Sequence, residues 1–133
     1  VSPYATRLQA LWFHYRQDIV DRFPPAPGLP ENKKAYLSAV EEHYVNDAYN
    51  SLSIEGYQVS PTLIERIYQG VWDPGGSTGD ISQRDALAAK GYHLAFEAVR
   101  SSLQGILAGQ NPGSVVKEGL SKWYTALFSP SVQ

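Results

Sequence analysis

Residues 32–56 read NKKAYLSAVEEHYVNDAYNSLSIEG, and the spacing of their apolar side chains decides the fold. Leu37, Val40, Tyr44, Ala48 and Leu52 follow steps of three and four, the interval that stacks side chains on one face of an α-helix. Gly56 closes the run, where a left-handed C-terminal cap suits a residue with no Cβ. Just beyond it, Ser60 and Pro61 read as the N-cap and first position of a short helix carrying Leu63, Ile64, Ile67 and Tyr68 up to Gly70. A long helix from about Ser82 to Leu107 places Ala88, Tyr92, Ala95, Phe96, Val99, Leu103 and Ile106 inward, as the spine of the core, and Gly109 with Asn111-Pro112-Gly113 stops it. The last helix runs from about Ser114, with Val116, Leu120, Trp123, Tyr124, Leu127 and Phe128 as its inward residues. In the other direction, Leu8, Leu11, Trp12, Tyr15, Ile19 and Phe23 mark a first helix, cut off by Pro24, Pro25, Pro27, Gly28 and Pro30. No alternating run supports a strand and no internal repeat is visible. The expected fold is all-α with about five helices. Residues 1–31 form a leading helix and stiff connector, and residues 32–133 form the main helical unit.

The 133 residues carry 11 Lys and Arg against 13 Asp and Glu, a net charge of −2, with neither Cys nor Met. That length suits one domain able to fold on packing alone. The absence of cysteine excludes a disulfide framework, a thiol nucleophile and a thiolate metal site. Without a concentrated basic stripe, a duplex nucleic-acid partner is disfavoured. The apolar runs fall well short of the ~20 residues of a membrane span. No secretory signal opens the sequence, so a cytoplasmic setting is the expectation, and a chain that starts at Val1 with no methionine reads as a cut or processed piece.

Few residues carry candidate chemistry. His14, His43 and His93 lack the spacing of a ligand set, so no metal site is expected, and His43 beside Glu41 and Glu42 reads as part of a solvated face. The loop Gly75-Gly76-Ser77-Thr78-Gly79-Asp80 has the glycines of a phosphate cradle, yet it lacks the lysine such loops use, and Asp80 would repel phosphate. It reads as a helix connector. Most of the aromatics, nine of them Tyr, sit at core spacing and read as core. Glu55 is different. Leu52, Ser51, Ala48 and Tyr44 precede it by three, four, seven and eleven residues, which aims its carboxylate along the buried stripe. It also lies in the last helical turn, where free carbonyls disfavour an anion. Either Glu55 reaches water at a frayed helix end, or it meets a cation, and Arg offers the best-matched fork.

The segment Ser51-Leu52-Ser53-Ile54-Glu55-Gly56 resembles the inhibitory motif of the Fic (filamentation induced by cAMP) family: Ser or Thr, three residues, Glu, then Gly or Asn. The order of features around it resembles the N-terminal part of such a protein: Asn46 to Asn50, Val59-Ser60-Pro61, Gln83 to Tyr92, Ala95-Phe96, Asn111-Pro112-Gly113, and Trp123-Tyr124 to Pro130. The likeness spans roughly Val40 to Gln133. The family signature HPFxxGNGRxxR is absent from the chain. The resemblance therefore implies no catalytic residue here, and ATP and Mg²⁺ belong to the full-length enzyme, a protein adenylyltransferase (a nucleotidyltransferase) that AMPylates target hydroxyls. It implies autoinhibition by Glu55, which would occupy the signature arginine needed by the ATP γ-phosphate. Ser51 would support the helix end or the glutamate, and Gly56 would let the chain leave the helix. The implied partner is the rest of the catalytic core in cis. The alternative is a stand-alone, antitoxin-like protein acting on a separate Fic toxin in trans. A homodimer is possible, with Trp12 and Trp72 as aromatic ends of its interface, and the protein substrate is open.

Overall fold

The computed structural model describes residues 2–72 and 82–132. These form five α-helices, α1 (Pro3–Arg22), α2 (Lys33–Ile54), α3 (Pro61–Tyr68), α4 (Gln83–Leu107) and α5 (Pro112–Phe128), followed by a single 3₁₀ turn, Ser129–Ser131. The described residues are all-helical, as expected, and none of their helices is long and apolar enough to cross a membrane. The glycine loop Gly75 to Asp80 lies outside the described residues.

Local chemistry sets the helix ends. Asn32, Ser60, Ser82 and Asn111 each accept, through their side chains, the backbone N–H three residues on, at 2.9–3.2 Å. These bonds satisfy donors that the first helical turn leaves free. Ser82 also donates its hydroxyl to the carboxylate of Asp85 at 2.6 Å, fixing that buried acid at the positive end of α4. Because Asn111 is a cap, α5 starts at Pro112, two residues before the Ser114 expected from the sequence. At the other ends, Gly56, Gly70 and Gly109 have φ of +84°, +72° and +106°. Each closes its helix with paired backbone bonds to the second- and third-last carbonyls, a left-handed stop that glycine adopts without steric cost.

The core lies where α2, α3 and α4 converge. Tyr44, Ala48 and Leu52 of α2 meet Leu63, Ile64 and Ile67 of α3 and Ala88 and Ala89 of α4. Tyr44 sits at its centre, its ring centroid 4.5 Å from that of Phe96 and 5.0 Å from that of Tyr68. α2 and α4 run antiparallel: Arg100 donates to Glu41 at 2.6 Å near one end, and Tyr92 reaches Asp47 and Ser51 nearer the other. α4 is the spine, packed against α2, α3 and, along its length, α5. The α4–α5 approach is close enough that a Cβ at Gly91 would strike the backbone carbonyl of Leu127.

Three expectations fail on packing. α5 turns Gly119, Trp123, Ala126 and Leu127 towards the core, whereas Val116, Leu120, Tyr124 and Phe128 face outward, with Leu120 63% and Tyr124 66% exposed. Gly119 leaves the space that the Trp123 indole of the same helix fills as it turns inward, where a Cβ would strike the ring, and the bulky ridge is left outside. Val99 of α4 is exposed as well. The aromatics of α1, read as core from their spacing, are also exposed, because among the described residues α1 packs against no other element.

Candidate functional site

The C-terminal end of α2 carries the site. Glu55 is the last residue with helical geometry, at φ −75° and ψ −1°, and its N–H donates to the carbonyl of Ser51 at 3.2 Å. Behind it, Gly56 donates to Ser53 and Tyr57 to Leu52, both at 3.0 Å. Two reciprocal bonds around a left-handed glycine hold the Glu55 backbone in one place and turn the chain sharply away from its side chain.

Beside this turn is a cavity of about 430 Å³. Ser51, Leu52, Ile54, Glu55 and Tyr57 form the wall from α2 and its exit; Ala88 and Tyr92 of α4, Leu127 and Phe128 of α5, and Ser131 complete it. The cavity is thus built from both ends of the chain's main unit, and it is chiefly apolar and aromatic. Glu55 is exposed at this cavity and forms no ion pair among the described residues. The expectation that its carboxylate is aimed at a packing surface is corrected here: the helix ends at Ile54, so the buried stripe stops one turn short of Glu55.

The hydroxyl of Ser51 does not touch Glu55. The Tyr92 hydroxyl gives its one proton to the Asp47 carboxylate at 2.6 Å, and the Ser51 hydroxyl, 3.3 Å from the Tyr92 oxygen, donates to it. Tyr92 is held above its ordinary pKa, first by burial and next by the bond to Asp47, with the Ser51 bond opposing. It stays a neutral donor that ties α2 to α4 one turn before Glu55. On the rim, the Arg84 guanidinium lies 5.0 Å from the centre of the Tyr57 ring, a stacking contact that leaves it unpaired with Glu55.

Among the described residues the lining offers one carboxylate and no cation. A polyphosphate does not fit such a wall, and neither does a magnesium site, since no group of three or more His, Cys, Asp or Glu comes together among the described residues. What the arrangement can do is present an unneutralised, fixed anion to a cation arriving from outside. Of the sequence-derived residues, the structure brings Ser51, Glu55 and Gly56 to one helix end. His43 is exposed, as expected. His93 is half-buried against Tyr44 and Tyr68, away from Glu55, and burial holds it below its ordinary pKa. Sequence reasoning missed the Tyr92–Asp47 link, because a pairing across 45 residues leaves no periodic signal. Comparison of the chain with protein-family models, with curated proteins and with solved structures finds no match in any of the three.

Proposed function

We propose that this chain is the autoinhibitory N-terminal portion of a Fic-family protein adenylyltransferase, in which Glu55 restrains ATP binding by taking an arginine of the catalytic core. The observation that carries the reading is the state of Glu55: an exposed carboxylate on a rigid helix end, at an open cavity, with no cation of its own among the described residues. An anion so fixed suits competition with a phosphate for a bidentate arginine, because both ask for the same two N–H donors. With that arginine occupied, the γ-phosphate loses its partner and the α-phosphorus is held out of line for attack by a target hydroxyl. The Tyr92–Asp47–Ser51 link supports the role by fixing the turn from which Glu55 projects.

In the polypeptide that contains the signature arginines, Glu55→Gly raises transfer of labelled AMP from ATP to protein by about tenfold or more, as expected from losing a charge-assisted contact of about 1.5–3 kcal/mol. An unchanged rate overturns the assignment. The 133-residue chain alone transfers no label, and turnover by it would place the chemistry elsewhere. If the chain instead silences a separately expressed Fic enzyme when added in trans, and Glu55→Gly abolishes that effect, the antitoxin-like reading replaces the cis one.

A further inference from the structure

The cavity beside Glu55 has one electrical sign throughout. Two helices end at it: α2 closes at Ile54 and α5 at Phe128, and both residues line it. The carbonyls of a last turn carry the negative end of the helix dipole, and neither helix has a basic residue in its last turn to offset it. The Glu55 carboxylate adds a full negative charge, with no cation in the lining among the described residues. Tyr57, Tyr92 and Phe128 contribute aromatic rings, whose faces attract cations. Tyr57 already holds one, since the Arg84 guanidinium lies 5.0 Å from its ring centre, although Arg84 itself is not part of the lining.

Hydrogen-bond donors are few in the same wall. The Tyr92 hydroxyl gives its proton to Asp47, and the Ser51 hydroxyl gives its own to Tyr92, so neither is free to donate into the cavity. An anionic ligand therefore meets repulsion without compensating donors. A hard metal ion is no better served, because it asks for about six to eight oxygen ligands and the lining has a single carboxylate.

The remaining wall, with Leu52, Ile54, Ala88 and Leu127, is apolar. At about 430 Å³ the cavity falls within the range of about 300–1,000 Å³ typical of small-molecule sites, in which an apolar lining supplies affinity and a few fixed polar groups set orientation. A cation that brings its own apolar body satisfies both: its charge meets Glu55, and its body displaces water from Leu52, Leu127 and Phe128.

We propose that this cavity is a binding site for small organic cations with an apolar body, and that such a ligand competes with the core arginine for Glu55 and so releases the restraint. The release, though not the binding, rests on the reading of Glu55 given above. Phenylbutylguanidinium titrated into the 133-residue chain shifts the NMR signals of Leu52, Tyr57, Leu127 and Phe128, with a Kd of about 1 mM. Phenylbutanol, phenylbutyrate and guanidinium alone bind about tenfold more weakly or worse, and Glu55→Gln lowers affinity for phenylbutylguanidinium by about tenfold. In the polypeptide that contains the signature arginines, phenylbutylguanidinium raises transfer of labelled AMP in the wild type and leaves Glu55→Gly unchanged. Absence of shifts at about ten times that Kd, equal binding of phenylbutyrate, or undiminished affinity in Glu55→Gln overturns the site. Binding without a rise in transfer, where Glu55→Gly itself raises it, overturns the release and leaves the restraint standing. If Glu55→Gly leaves transfer unchanged while the chain still binds the cation, the restraint and its release fall together and the site stands.

Discussion

α1 and α2 are helices of similar length with apolar side chains at similar intervals, and they meet opposite fates. In α2 the stripe ends in Tyr44, Ala48 and Leu52, all buried, and Ala48 is wholly so. In α1 none of the stripe is buried. Their termini differ in the same sense. α2 is capped by the Asn32 side chain and closed by Gly56, whereas Ser2 makes no side-chain cap for α1. Periodicity therefore specifies a face, and something else must supply the surface that face meets. For α2 that surface comes from α3 and α4, elements with small or branched residues set opposite: Ile64, Ile67, Ala88 and Ala89. α5 lies between the two, since its bulky ridge is outside while Gly119 and Leu127 are turned inward.

The contrast makes testable demands. The largest effect is expected from Ile64→Ala in the core, a loss of about 2–5 kcal/mol from transfer and cavity terms, set against Leu120→Ala on the outer ridge of α5, within about 0.5 kcal/mol. Urea unfolding of both variants measures the difference, and equal losses would mean that the α5 ridge is packed in solution. Next comes Gly91→Ala. The added Cβ meets a backbone carbonyl of α5, which cannot rotate away as a side chain can, so α4 and α5 must separate at a cost of about 1–3 kcal/mol. A neutral result in the same urea series would show that the two helices are looser than the core they border.

A smaller loss, about 0.5–1.5 kcal/mol, is expected from Tyr92→Phe, which removes the bonds to Asp47 and Ser51 but keeps the ring. Amide exchange at the end of α2 should accelerate with it, and unchanged protection there would separate the link from the fixing of Glu55. The smallest effect is pH-dependent. Burial and Lys90 lower the His93 pKa while Glu97 opposes them, and Tyr44 and Tyr68 face its ring. The unfolded chain therefore binds this proton more readily than the folded one. Stability is complete above the unfolded value near 6.5 and declines as pH falls through it towards the lower folded value. His93→Gln should flatten that part of the pH–stability curve, and an unaltered slope would assign the dependence to another group.

Helix ends were legible because they are decided within four or five residues: a side-chain cap, a proline at the first position, a glycine free to take positive φ. Ser60-Pro61, Ser82 and Gly56 behave as such signals require. The faces of α5 were not legible, since Val116, Leu120, Tyr124 and Phe128 and the inward Gly119 and Leu127 are all compatible with one helix. Which side is inward depends on how near α4 can come, which rests on Gly91, and on the room that Gly119 leaves for the Trp123 ring. At the candidate site, Ser51, Glu55 and Gly56 were legible as one motif, while the cavity was not, because its other walls come from Tyr92, Leu127 and Phe128, tens of residues away.

The amino-acid order by itself determined the all-helical class, most of the helix ends and the position of Glu55 at a helix end, because those follow from backbone sterics and short-range hydrogen bonds. Only the tertiary structure decided which stripes are buried and that, among the described residues, Glu55 stands exposed at a cavity without a cation and α1 packs against no other helix. Those outcomes depend on long-range packing, where the same apolar spacing is satisfied by a core or by nothing within the same chain.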